Sequence, residues 1–370
     1  MTPSSPRRQA RRAVLTASFA ALLLAGCSGG PGLRPEGPGP GGARNRVAVL
    51  VPTSGPDAAV GQGIANAARL ALADSGGDAL DLTVYNTAEA GASAAAQRAL
   101  ASGAGLILGP LLGDQVRTVA PLAGRAGVPV LAFSNDERAA GNGTFILGVV
   151  PGQAVARVIG EARRQGVSRF AALVPQTTYG ERASEGLDRA VGQSGGRLTG
   201  LARYATLAEA RAGLRRLNAA GYDALLIVDD GRTAAALAPA VAPGARILGP
   251  DLWAGERALG RVPRLRGALF AAPLDSRFGQ FASRYKARFG AVPPRLASLG
   301  YDSVLLTVRA ARQWAPGRRF PLRSLTDDEG FVGVDGVFRF TRSGVAERGL
   351  EVRQVTATGS QLVSPAPGHF

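Results

Sequence analysis

The chain has 370 residues, 46% of them hydrophobic and 19% charged, which is enough apolar material for a sizeable core and excludes wholesale disorder. Its formal charge is +16, yet aromatic residues make up only 6% and the arginines are scattered over every segment, which argues against a nucleic-acid partner. Lys286 is the single lysine, so the basic excess is an arginine bias, suited at most to steering toward acidic envelope surfaces.

The first elements are not part of a fold. Arg7, Arg8, Arg11 and Arg12 form a basic head ahead of an apolar run over 13–25, the outline of a secretory signal peptide. That run is short for a membrane span, which needs roughly 20 apolar residues. Arg11-Arg12 bear a faint likeness to a twin-arginine signal, although an arginine-rich head is the plainer account. The run ends in Leu24-Ala25-Gly26-Cys27, which resembles the bacterial lipobox. That resemblance implies cleavage before Cys27 and lipidation of its sulfur, with palmitate-class acyl chains as the anchor. Cys27 is the one cysteine, so no disulfide can form within the chain. Ser28, where an aspartate would retain a lipoprotein at the inner membrane, points to the outer membrane. Residues 1–27 are therefore read as leader through lipobox, and loss of its four arginines leaves a formal charge of +12.

Residues 28–45 are dominated by Gly and Pro, as in Pro38-Gly39-Pro40-Gly41-Gly42, and read as a tether that buries no core. Beyond it lie about 325 residues, more than one core usually holds. Short apolar runs at 47–51, 82–85, 106–108, 129–133, 170–174, 225–228, 246–248 and 268–271 alternate with alanine-rich helical stretches. This is the pattern of an α/β fold with parallel sheets covered by helices. Ile64, Ala68 and Leu72, and likewise Leu187, Ala190 and Val191, recur at helical spacing, each set giving one apolar stripe that is read as packing.

Two internal echoes suggest two similar lobes. Val51-Pro52 leads to Gly63, and Val174-Pro175 leads at the same interval to Gly186. Leu108-Gly109-Pro110 is matched by Leu248-Gly249-Pro250, each closing a strand. If two such lobes face one another, the carboxyl ends of their strands line a shared cleft.

The run from Val47 to Pro56, Gly109-Pro110, Tyr179-Gly180 and Gly300-Tyr301-Asp302-Ser303 together resemble the type I periplasmic binding fold, over about 46–356. The resemblance implies three crossings between lobes, with 46–150 plus 273–328 in the first and 151–272 plus 329–370 in the second. Within that group, Ala132-Phe133-Ser134-Asn135-Asp136 and Phe145-Ile146-Leu147-Gly148 make the chain similar to penicillin-binding protein activator lipoproteins. What this implies is regulation of a bifunctional peptidoglycan synthase by protein contact, without the amino-terminal helical repeats of the longer activators. The rival expectation is a substrate-binding lipoprotein of a branched-chain amino-acid importer. Proteins of that kind hold a carboxylate with hydroxyls and amides and an ammonium with an acid. Here Leu111-Leu112-Gly113 stand where hydroxyls are expected, so weak or no binding of free amino acids follows.

The candidate cleft residues are Thr53, Ser54, Gly109, Pro110, Ser134, Asn135, Tyr179, Asp229, Asp230 and Trp253. Asp230 reads equally as the N-cap of a helix beginning at Gly231, and Tyr179 and Trp253 as core aromatics or as stacking groups. Catalysis has little support: His369, the only histidine, lies in the Pro-rich carboxyl tail, which disfavours a histidine triad. No His/Cys cluster offers a metal site, and no phosphate loop is present. Gly61-Gln62-Gly63 lacks the third glycine of a dinucleotide loop, and Asp327-Asp328-Glu329 reads as a solvated acidic cluster rather than a glycosidase pair. The expectation is a non-catalytic protein with no cofactor, which meets the membrane only through its lipid.

Overall fold

The computed structural model describes residues 44–76, 80–256 and 258–370. The leader, Cys27 and the tether as far as Ala43 lie outside the described residues. Asn45, assigned to the tether by composition, already belongs to the fold: it is buried and its side-chain amide donates to the Trp314 carbonyl at 2.7 Å.

The first sheet is built by alternation of strand and helix: β1 (Asn45–Val51), α1 (Ala58–Asp74), β2 (Leu80–Asn86), α2 (Gly91–Ala101), β3 (Leu106–Leu108), α3 (Gly113–Ala126), β4 (Val130–Ala132) and β5 (Thr144–Ile146). Its five strands are parallel in the order β2-β1-β3-β4-β5. β1 and β3 are apolar almost without interruption because helices cover both of their faces.

The chain then crosses over and repeats the plan with α4 (Pro151–Arg164), β6 (Arg169–Pro175), α5 (Thr178–Gln193), β7 (Arg197–Tyr204), α6 (Leu207–Ala220), β8 (Ala224–Ile227), α7 (Gly231–Leu237), β9 (Arg246–Gly249) and β10 (Leu269–Ala272). These five strands are again parallel and run β7-β6-β8-β9-β10, the same winding as the first sheet. A second crossing leads to α8 (Asp275–Phe289) and α9 (Ala297–Ala311), whose apolar residues join the first core. There follow β11 (Phe331–Gly333), β12 (Gly336–Phe340) and β13 (Ala346–Arg348), a small antiparallel sheet. The chain ends with β14 (Glu351–Val355) and β15 (Ser360–Ser364), which extend the second sheet antiparallel beside β10.

The 329–370 segment expected in the second lobe is therefore divided. Phe331, Phe338, Phe340 and Ala346 are buried in the first core, and only from β14 onward does the chain pair with the second sheet. The aromatic side chains decide this, because Phe340 packs edge-on against Phe145 at 5.2 Å and Phe331 and Phe338 join the same core beside it.

Of the two echoes, one is architectural. A Cβ at Gly63 would lie 2.4 Å from Pro294 and one at Gly186 would lie 2.5 Å from Gly152, so both glycines let a helix of one lobe sit close on its neighbour. The other echo joins strands that are not equivalent: Gly109 follows β3, third along its lobe, whereas Gly249 ends β9, the fourth. Each glycine answers a different neighbour, the Leu50 carbonyl for Gly109 and the Trp253 ring for Gly249.

Three crossings join the lobes, between Ile146 and Pro151, between Ala272 and Asp275, and between Arg348 and Glu351. Two of them are tied together. Gln153 donates to the Ala346 carbonyl at 2.8 Å and accepts from the Arg348 amide at 3.1 Å, and the Arg348 Nε donates to the Leu147 carbonyl at 2.8 Å. Among the described residues no helix is long and apolar enough to cross a membrane.

Candidate functional site

Parallel sheets leave their carboxyl-end loops free, and here the loops after β3 and β4 face those after β6 and β9. Between them lies a cavity of 380 Å³. Leu111 and Leu112 follow β3, Phe133 follows β4, and Leu296 and Leu299 come from the start of α9. These side chains make the walls mainly apolar. The second lobe contributes Asp251 and Leu252, just beyond β9.

Asp251 is the charged group that the second lobe brings to this cavity. The Tyr179 hydroxyl donates to its Oδ1 at 2.9 Å. Burial pushes the Asp251 carboxyl up to about 6, with the Tyr179 hydrogen bond and the nearby Arg295 pulling it back. Burial and Asp251 together hold the Tyr179 hydroxyl well above its ordinary range, so it stays a neutral donor. Arg295 is already engaged: it pairs with Asp335, donates to the Leu274 carbonyl at 3.4 Å and lies 4.0 Å from the centre of the Phe278 ring. Asp335 also accepts from the Ser298 hydroxyl at 2.7 Å.

Behind this pair Asp302 accepts from the Val334 amide at 2.7 Å, while its Oδ2 has no hydrogen-bond partner among the described residues. Burial, then the neighbouring Asp335 charge, push the Asp302 carboxyl up to about 7 against the pull of Arg348. The buried Arg348 guanidinium stacks on Phe338 at 4.8 Å, and its two Nη atoms likewise lack partners there.

A polar seam closes the cleft beside the cavity. Asp136 of the first lobe pairs with Arg117 and, at 3.5 Å, with Arg182 of the second, and both Asp136 and Arg182 are buried. Farther out Arg138 meets Glu185 at 2.6 Å, and Arg182 meets the same carboxylate at 3.4 Å. A smaller hollow of 230 Å³ lies along this seam, and Leu112, Asn135 and Tyr179 line it.

Of the residues singled out from sequence, Asn135 and Tyr179 line the cleft. Ser134 is buried behind them, its hydroxyl accepting from the Asp136 amide at 3.0 Å and so shaping the loop. Gly109-Pro110, a cis peptide, is buried beneath Leu111. Thr53 and Ser54 are occupied at the end of β1, where the Thr53 amide and the Ser54 hydroxyl both bond the Asn86 side chain at 2.9 Å. Asp229 accepts from the Tyr204 hydroxyl at 2.7 Å, and Asp230 caps α7 by accepting from the Thr233 amide at 2.8 Å. Trp253 is fully buried, with its indole donating to the Asp229 carbonyl at 3.0 Å, and it walls a different cavity of 460 Å³.

Sequence reasoning missed Asp251, Arg295, Leu299 and Asp335. Asp251 was within reach of the Gly249-Pro250 strand end. Leu299 directly precedes the Gly300-Tyr301-Asp302-Ser303 run, whereas Arg295 and Asp335 lie in segments remote from the loops they meet, and no local pattern marks them. No group of three or more His, Cys, Asp or Glu side chains among the described residues is arranged to hold a metal ion.

The profile of the periplasmic binding protein family matches residues 45–360. An uncharacterized protein of Rickettsia prowazekii (strain Madrid E) is 27% identical over 143 residues, which is 38% of this chain and 38% of that protein. Among solved structures, the branched-chain amino-acid ABC transporter ligand-binding protein of Burkholderia xenovorans LB400 superposes with a TM-score of 0.75 at 16% identity, covering 87% of this chain and 95% of that one. A solute-binding protein of Rhodopseudomonas palustris BisB5, in complex with 3,4-dihydroxybenzoic acid, gives 0.70 at 19% identity, covering 88% and 97%. The leucine-binding protein of Thermotoga maritima MSB8 gives 0.68 at 20%, covering 87% and 98%. With two similarly wound lobes, a cleft at their strand ends and a family match along most of its length, this chain belongs to the periplasmic binding protein family and has the type I, leucine-binding-protein-like fold.

Proposed function

We propose that this protein is the solute-binding component of an ABC importer and takes a small, mainly apolar solute between its lobes. The observation that carries this reading is the 380 Å³ cavity walled by Leu111, Phe133, Leu296 and Leu299, a size and character ordinary for small-molecule sites. The neighbours with this fold include proteins solved with aromatic acids and with leucine, which supports solute binding in general. The test is a thermal-shift panel of aromatic acids, branched-chain amino acids and larger amphipathic solutes on the mature chain. A ligand at about a hundredfold its Kd adds about 2.7 kcal/mol of stability, a readily measured rise in Tm. If no solute raises Tm, the importer reading falls.

A second reading is regulation of a bifunctional peptidoglycan synthase by protein contact. It is supported by Leu111 and Leu112, whose apolar side chains line the cavity and offer no hydroxyl to a carboxylate. Pull-down of the organism's bifunctional synthases, together with glycan polymerisation rates, tests it: neither binding nor a rate change would exclude it. On either reading we assign membrane attachment to lipid on Cys27, at the outer membrane. Cys27→Ala should release the protein from membranes, because the acyl chains exceed the two signals that stable anchoring needs.

A further inference from the structure

Resting on the solute-binding reading, we propose that the cleft takes an elongated, uncharged amphipathic solute, apolar at one end and rich in hydrogen-bonding groups at the other. Two cavities, not one, lie between the lobes. The 380 Å³ cavity and the 460 Å³ cavity share Ala254, Gly255 and Arg295 as common wall, so they are adjoining chambers of one trough. The inner chamber has the apolar surface of Leu111, Phe133 and Leu299. The outer chamber has Trp253 and Phe278 together with Asp275, Arg353 and Ser360.

Each charged group of the outer chamber has a counter-charge within 4 Å: Arg353 bonds the Glu351 carboxylate at 2.8 Å and lies 3.7 Å from Asp275, Glu256 lies 3.6 Å from Arg232, and Arg295 pairs with Asp335. Such a lining suits neutral hydrogen-bonding groups, amides or hydroxyls, better than an ion, whose desolvation would go uncompensated. A lone amino acid or a benzoate would fill only one chamber. The link between the chambers is open at Gly255, which is exposed and where an added Cβ meets nothing within 4 Å. Side-chain bulk can therefore be placed at the junction without disturbing the packing.

Calorimetry on the mature chain uses four probes. N-acetyl-Leu-Ser-Ser-amide and phenyl β-glucoside span both chambers with amides and hydroxyls respectively, whereas leucine and benzoate fit one. At least one elongated probe should bind about tenfold more tightly than either short one, a difference of about 1.4 kcal/mol. Gly255→Phe, which places a ring at the junction, should remove that advantage. Trp253 emission should respond to the elongated probe alone, read in a Trp314→Phe background since the chain has two tryptophans. Leucine or benzoate binding as tightly as the elongated probes would overturn this inference and leave solute binding standing. So would an elongated probe indifferent to Gly255→Phe. Failure of all four probes would overturn this inference, and a silent thermal-shift panel as well would remove the reading beneath it.

Discussion

The cleft has two unlike regions side by side: a seam of charged pairs around Asp136 and Arg182, and a cavity walled by Leu111, Phe133 and Leu299. Leu112 and Asn135 border both. Charged pairs are directional, and their Coulomb gain is largely offset by desolvation, so the seam sets how the lobes register more than how strongly they adhere. Apolar walls are undirected, and their contribution grows with the area they cover. The difference teaches that closure and occupancy are separate properties of this cleft, open to separate perturbation.

The largest effect should come from the apolar side. Leu299 is both a buried member of the first core and a wall of the cavity, so Leu299→Ala should cost about 2–5 kcal/mol in urea unfolding. A loss below about 1 kcal/mol would mean that this wall packs little and the contrast with the seam is overdrawn. On the seam, Arg182→Met leaves the buried Asp136 with Arg117 alone. Loss of one partner of a buried polar pair should cost about 1–3 kcal/mol, and scattering should show a larger radius of gyration as the lobes separate. An unchanged radius would show that the seam does not hold the cleft shut.

Asp251 lies between the two regions in character, a carboxyl in an apolar setting. Its folded value is raised from 3.8 to about 6, so it supports the folded state in its protonated form. That support is complete below about pH 3.8 and is lost as pH rises through about 6. Asp251→Asn should therefore gain about 1–2 kcal/mol on the native protein between pH 4 and pH 7, measured as the difference between the two melting profiles. Asp302, raised to about 7, titrates in both proteins and cancels from that difference. A flat difference would mean the Asp251 carboxyl is well solvated. The smallest effect belongs to the rim: both partners of Arg138 and Glu185 are substantially exposed, and Glu185→Gln should cost at most about 1 kcal/mol. Even that should vanish in molar salt, where the screening length is about 3 Å.

Much of the fold was legible in the sequence. All eight apolar runs reappear in the two sheets; β1, β3, β4, β6, β8, β9 and β10 are largely buried because helices cover both faces, whereas β2, at a sheet edge, is half-exposed. The edge strand β7, Arg197–Tyr204, was harder to see because it mixes buried with exposed positions and contains Gly200. The strands β11–β13 are shorter still, and their lobe is set by where Phe331 and Phe338 find space. Of the candidate site, Asn135 and Tyr179 were legible because they lie within four residues of the ends of β4 and β6; Trp253, on the same reasoning, turned out to wall the outer chamber from within the core.

By itself the sequence determined the alternating plan, the equal Pro-to-Gly intervals that begin both lobes, and the cap at Asp230, since each depends on residues a few positions apart. Tertiary structure alone decided that Arg295 and Asp251 face one cavity, that Asp136 meets Arg182, and that Ala254 and Gly255 divide two chambers. The physical reason is reach. Helical and strand periodicities act over a few residues, whereas a cleft is made where segments hundreds of residues apart are brought together by the burial of two cores.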